Sequence, residues 1–353
     1  MRDIIDNVNE WEQAGKSIAL ATVVKVFGSA PREMGAKMAV TSDNDIAGSV
    51  SGGCVESAVI EAAIKSLKTG LPVLLKYQIE KENAWSVGLS CGGELEVFVE
   101  PLINPSERLA LNPPEIFNEV KDKISKESPC IQVTKMDGAY IGRKTIYSEI
   151  GDYLAGHQDF WVDEMIKKDS YKILEDNRAI RAIVKKEESE EDIFIEVFNP
   201  RDKLIIIGAG HIAIPLVSFA KKLGFYTTVM DARNLFANRE RFQDADEIIV
   251  DWPAKALEET KLDRTTYVVL TSHDEKVDLP VIGYLAHSPI KYLGVLGSRK
   301  THEKRVEKLL EMGIGEEKIN NMHAPVGLKI GATSAEEIAL SIMAEIISIK
   351  RKK

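Results

Sequence analysis

The sequence predicts an α/β protein of two units, an α+β N-terminal domain over residues 1–199 and a Rossmann-like, doubly wound parallel sheet over residues 200–353. Three observations predict it. From Lys203 the chain alternates unbroken apolar strands with helical stretches, the pattern of a parallel sheet covered on both faces. The first of those strands runs into Gly208-Ala209-Gly210-His211-Ile212-Ala213 and a helix, the opening of a dinucleotide-type site. Before Lys203, strand-like segments alternate apolar and polar residues between glycine turns, most clearly in ELEVFVEP at residues 94–101.

The 353 residues are 44% hydrophobic, enough to fill more than one core. Lys plus Arg number 46 against 55 Asp plus Glu, for a formal charge of -9, so no concentrated positive surface for nucleic acid is expected. No apolar run is long enough to span a bilayer, and the acidic first residues lack a secretory pattern. The three cysteines, Cys54, Cys91 and Cys130, are too few and too scattered for a disulfide framework. Together these features point to the cytoplasm.

Residues 3–14 have a helical pattern ending at Gly15, and SIALATVVKVFG reads as a strand broken at Gly28 and Pro31. Lys37 to Thr41 is its expected hairpin partner. GSVSGGCVESAVIEAAIKSLKTG passes from a glycine loop into a helix that should end near Gly70. Strands are expected at Pro72 to Ile79 and Glu94 to Glu100, with a pause near Pro101. A hairpin turning at Asp137-Gly138 and the strand IFIEVFNP could complete the same N-terminal sheet, the boundary falling at Asn199-Pro200. Beyond it, strands are expected at Glu247 to Asp251, Tyr267 to Leu270 and Tyr292 to Leu296. A last helix should start from a capping box of Thr333 and Glu336 and bury Ile338, Ile342 and Ile346.

The glycine turn after Ile207 carries the clearest chemistry. Gly208 permits the tight turn, Gly210 removes the side chain that would block a pyrophosphate, and Ala213 allows close packing of helix on strand. The helix N-terminus offers amide donors to phosphate. Asp231, after the next strand, is placed to accept from a ribose diol, while Arg233 can bind phosphate or simply pair with Asp231. The plain alternative is a Rossmann fold with a different ligand or none. His211 lies near a bound phosphate or caps the helix. His273 and Asp274, and Ser298 and Arg299, follow later strands; they line the same crevice, or they only cap helices and form ion pairs, His273 and Asp274 with Arg299.

Two N-terminal turns set a cysteine beside two glycines: Gly52-Gly53-Cys54 and Cys91-Gly92-Gly93. Paired glycines admit a bulky ligand, and a cysteine at a helix start has its thiolate favoured by local amides. Small core cysteines are the ordinary alternative, and no structural zinc pattern is present. The turn ending at Arg32 suits an anion, unless the arginine pairs with a carboxylate.

These motifs together resemble the XdhC/CoxI family of accessory factors for xanthine dehydrogenase and related molybdenum hydroxylases. The likeness is carried by ATVVKVFGSAPREMGAKMAV, GSVSGGCVE and GLSCGGELEVFVEP, then by IIIGAGHIAIPLVSFAKKLGFYTTVMDAR, YLGVLGSRKTHEKR and APVGLKIGATSAEEIALSIMAEI. It covers nearly the whole chain and is weakest over residues 102–192. The resemblance implies an XdhC/CoxI-type N-terminal domain and a chaperone that binds molybdenum cofactor (molybdopterin). Such a chaperone supports sulfuration of the cofactor, with the sulfur coming from a cysteine desulfurase, and delivers it to the hydroxylase. Cys54 and Cys91 would face the metal end. Gly208, Gly210 and His211 would bind the phosphate, or an associated NAD(P) or other nucleotide. A homodimer is expected. The competing readings are an NAD(P)-dependent oxidoreductase and a non-catalytic adaptor between sulfurase and hydroxylase.

Overall fold

The structure, a computed structural model, describes residues 1–28, 32–53, 55–78, 93–103, 112, 114–186 and 189–351. It divides into two compact units, Met1–Pro200 and Arg201–Lys353.

The first unit is built on two antiparallel sheets. β1 (Ile18–Gly28), β2 (Lys37–Thr41), β3 (Ile46–Gly48), β4 (Val73–Gln78) and β5 (Gly93–Ile103) assemble in the order β3-β2-β1-β5-β4. Alternation along the strands sends Ala19, Ala21, Val23, Met38, Val40, Val97 and Val99 to one face, where they bury against Val59, Ala63 and Leu67 of α2 (Glu56–Thr69). Helix α2 stops at Gly70, which takes the left-handed conformation.

The later strands do not complete this sheet, contrary to the sequence reading. β6 (Cys130–Lys135), β7 (Lys144–Tyr147), β8 (Tyr153–Gly156), β9 (Ile180–Lys185) and β10 (Glu190–Phe198) form a second one, ordered β8-β7-β6-β10-β9. Its outer face, with Ile131, Val133, Tyr147, Ile193 and Ile195, is covered by Val162, Ile166 and Ile173 of α4 (Phe160–Asp176). The inner faces explain the separation, because both alternate in charged residues that need partners across the gap. Lys37 meets Glu196 at 2.6 Å, Lys144 meets Glu100 at 2.8 Å, and Arg181 bridges Glu96 and Asp192. At one end α1 (Ile5–Gln13) and α3 (Pro114–Ser125) replace these pairs with apolar packing on Ile18, Leu20, Cys130 and Ile146.

The second unit is a parallel five-stranded sheet in the order β13-β12-β11-β14-β15, from β11 (Lys203–Ile207), β12 (Tyr226–Met230), β13 (Glu247–Ile249), β14 (Thr266–Leu270) and β15 (Tyr292–Val295). On one face α5 (Ala213–Lys222) and α10 (Ala335–Arg351) bury Leu216, Val217, Ile342 and Ile346. On the other lie α6 (Pro253–Glu258), α7 (Glu275–Leu285), α8 (Arg299–Glu311) and α9 (Glu316–Asn320). The order reverses at β11, so the crevice lies beyond the carboxyl ends of β11 and β14. The capping box of α10 sits one residue later than expected. Ser334 accepts from the Glu337 amide while the Glu337 carboxylate accepts from the amides of Thr333 and Ser334. Both registers fit the sequence pattern, and the structure takes the one that begins the helix at Ala335. Among the described residues no helix is long and apolar enough to cross a membrane.

Candidate functional site

The crevice of the second unit is assembled from strand ends. Gly208 closes β11 at φ +100, and a Cβ there would stand 2.8 Å from the Ser272 amide nitrogen, so only glycine fits without displacement. The turn is tied to its neighbours: the Gly208 amide donates to Met230, and the Thr271 hydroxyl donates to the Gly208 carbonyl at 2.6 Å. Gly210 is different. A Cβ on it would meet nothing within 4 Å, and its φ is not positive, so neither packing nor backbone asks for glycine. The amides of Gly210, His211, Ile212 and Ala213 donate to no acceptor among the described residues. They form the positive end of α5, which is open at Gly210 and His211 and buried at Ala213. His211 is exposed beside them.

Asp231 stands at the end of β12 with its carboxylate fully engaged. One oxygen accepts from the Ala209 amide at 2.8 Å and Arg233 Nη2 at 2.8 Å; the other accepts from the Arg233 amide and Nε, both at 2.9 Å. Burial opposes its ionisation, but the Arg233 guanidinium and these amides win and hold its pKa below the usual range. Across the crevice, His273 is exposed, and Asp274 accepts from the Lys276 amide as the N-cap of α7. Ser298 caps α8 through the Thr301 amide, and Arg299 is exposed. The ion pair expected of His273 and Asp274 with Arg299 is not formed among the described residues, because Asp274 turns back onto its own helix.

Beneath these strand ends lies a group that sequence reasoning missed. Asp278 of α7 and Arg305 of α8 pair at 3.0 Å, with side chains 1% and 6% exposed. Arg305 Nη2 also donates to the Leu296 carbonyl, whereas Arg305 Nη1, Asp278 Oδ1 and His302 Nδ1 are buried without a hydrogen-bond partner. The Ser272 hydroxyl approaches the Asp278 carboxylate without closing a hydrogen bond to it. Burial raises the Asp278 pKa, and Arg305 offsets only part of that. The sequence signal bears on one partner alone: Arg305 stands four residues before Leu309 on the buried face of α8.

In the first unit the glycine turn after Val50 is filled by the chain itself. The Glu56 carboxylate accepts from the amides of Ser51, Gly52, Gly53 and Val55 and from the hydroxyls of Ser49 and Ser51. The amides of Gly52 and Gly53, in the turn expected to admit a bulky ligand, are therefore already satisfied by an internal anion. The turn keeps an open outer side, since nothing lies within 4 Å of a Cβ on Gly53. Arg32 is brought to it by an Nε bond to the Ser49 carbonyl and a 3.3 Å ion pair with Asp3. Gly93 pairs with Gly28 in the ladder of β1 and β5. Cys54, Cys91 and Gly92, like residues 29–31 of the Arg32 turn, lie outside the described residues. The third cysteine, Cys130, is buried, and burial pushes its thiol up to about 12, which removes it from thiolate chemistry.

Burial of Glu56 favours its neutral form, but the Ser51 and Ser49 hydroxyls and the turn amides outweigh it and lower the pKa from 4.5 to about 2. A folded pKa below the unfolded one contributes stability above pH 4.5 that is lost as the pH falls toward 2. Glu56→Gln is expected to cost roughly 1–2 kcal/mol near neutral pH, discounted for partial solvation. Urea unfolding of both proteins across this range should show the gap closing with acid; a gap independent of pH would contradict this role.

Residues 204–346 match the XdhC Rossmann domain, and residues 11–78 match the XdhC and CoxI family. The chain belongs to the XdhC/CoxI family. Along the XdhC/CoxI chain, similarity extends to a probable xanthine dehydrogenase subunit of Bacillus subtilis (strain 168), 29% identical over 94% of this chain and 93% of that protein. It extends also to the molybdenum cofactor insertion chaperone PaoD of Escherichia coli (strain K12), 26% identical over 99% of this chain and 88% of that one. A crystal structure described as a xanthine dehydrogenase from Bacillus halodurans superposes with a TM-score of 0.81 at 28% identity, covering 99% of this chain and 96% of the other.

Proposed function

We propose that this XdhC/CoxI protein is an accessory factor that binds molybdenum cofactor, holds it while a cysteine desulfurase supplies sulfur, and delivers it to a xanthine dehydrogenase-type molybdenum hydroxylase. The near full-length likeness to an insertion chaperone and to a protein named for xanthine dehydrogenase supports the role. The observation that carries it in this chain is the set of unpaired amides from Gly210 to Ala213 at the start of α5, with open space at Gly210, which suits the phosphate end of molybdopterin. Cys54 and Cys91 are assigned to the metal end on the resemblance. A homodimer in the cytoplasm belongs to the same reading. The rival reading, an NAD(P)-dependent oxidoreductase, has the fold, but for NAD itself the expected ribose acceptor Asp231 has no free oxygen to offer a diol.

Transfer tests the role. Cofactor-loaded protein mixed anaerobically with cofactor-free hydroxylase should restore activity in proportion to the cofactor handed over; restoration by free cofactor alone, unchanged by the protein, would count against it. Cys54→Ala should lower molybdopterin occupancy severalfold while leaving the unfolding temperature within a few degrees of the parent. Lost stability with unchanged occupancy per folded molecule would reject the assignment.

A further inference from the structure

In folds with this strand order, the acid closing the second strand reads a ribose diol, and an arginine nearby marks sites that take a sugar phosphate instead. The acid is present here, but it is not available. An ionised carboxylate has about four acceptor positions, and Asp231 fills four, three of them with Arg233. A diol could bind only by expelling the guanidinium. The arginine, in contrast, faces outward: its side chain is 61% exposed, and its Nη1 donates to nothing among the described residues.

A second guanidinium stands beside it. Arg233 and Arg241 both lie over the Phe236 ring, at 4.3 and 5.2 Å from its centroid. Arg241 is anchored through Nη1 to the carbonyls of Ala209 and Phe236, both at 2.9 Å, which ties it to the glycine turn and leaves its Nε and Nη2 without acceptors among the described residues. Stacking and tethering preorganise both groups. The acidic groups that face Arg233 are Asp231, which is saturated, and Asp274, which is committed to the N-terminus of α7. The ligand chemistry this favours is a phosphate monoester, which brings about two negative charges and accepts from a guanidinium fork.

We propose that the crevice of the second unit selects ligands bearing a phosphate monoester at the edge where Asp231 would otherwise hold a free diol, with Arg233 and Arg241 as the specificity-determining residues. The inference rests on the reading that the turn from Gly208 to Ala213 receives a phosphate. The probes are NADP+ and NAD+, titrated calorimetrically into the full chain. NADP+ should bind at least about tenfold more tightly than NAD+. Arg233→Ala should weaken NADP+ by about tenfold and strengthen NAD+, because Asp231 is released, so that the preference narrows or reverses. A merely structural arginine would weaken both alike. Equal affinities, a preference for NAD+, or binding of neither overturns the proposal. A chain that retains molybdopterin with one of those results keeps the cargo reading and loses the selectivity. A chain that prefers NADP+ but never holds molybdopterin does the reverse.

Discussion

Gly210→Val is expected to cut affinity for a phosphate-bearing ligand at the second unit by at least about thirtyfold, roughly 2 kcal/mol, while leaving the unfolding temperature almost unchanged. The reasoning is geometric. The backbone at Gly210 does not need glycine and a Cβ there touches nothing, so the valine occupies only the space through which a phosphate would approach the amides. Gly208→Ala should behave in the opposite way. Its positive φ and the 2.8 Å approach to Ser272 predict a loss of about 3 kcal/mol in stability. Thermal unfolding with calorimetric titration of both variants separates a structural glycine from one kept open for a ligand. A Gly210→Val protein that binds molybdopterin and nucleotides as the parent does would remove the turn from the site.

Arg305→Ala and Asp278→Ala are each expected to destabilise the second unit by about 3–5 kcal/mol, because each strands a charge in a pocket closed to water. Replacing both partners with apolar residues of similar size, Asp278→Leu with Arg305→Met, should cost less than either single change. The pair is incompletely satisfied even in the parent, with Arg305 Nη1 and Asp278 Oδ1 lacking partners, so little net attraction is lost when both charges go. Urea unfolding of the three variants compares these costs directly. Additive costs would mean that the two side chains act independently and that the buried pairing has been misjudged.

The second unit was legible because β11, β12, β14 and β15 are buried almost throughout and read as largely apolar runs, and because the glycine turn has a local pattern. The capping box slipped by a residue since Thr333-Glu336 and Ser334-Glu337 satisfy the same rule, and only backbone packing chooses between them. The second sheet of the first unit was hidden for another reason. Alternating strands show which residues are buried but not which strands pair, and the inner charges of Lys37, Glu196, Lys144 and Glu100 looked like solvent-facing positions.

The site residues divide along similar lines. Gly208 and Gly210 were readable as a motif, and Asp231 as its partner. That Arg233 saturates Asp231 was visible only as an alternative, because two residues of separation permit the contact without requiring it. Glu56 could have been found, since an acid at the first position of a helix after a glycine turn is placed to collect that turn's amides. Asp278 and Arg305 meet across 27 residues of sequence, and no local pattern joins them.

The proposal that this chain carries molybdenum cofactor is tested most directly on the cargo itself. Protein purified without oxygen, then denatured and oxidised, should release a fluorescent pterin in near-stoichiometric amount when produced in cells that make the cofactor, and none when produced in cells that cannot. Pterin-free protein from cofactor-producing cells, still folded and still free of pterin after incubation with isolated cofactor, would contradict that role.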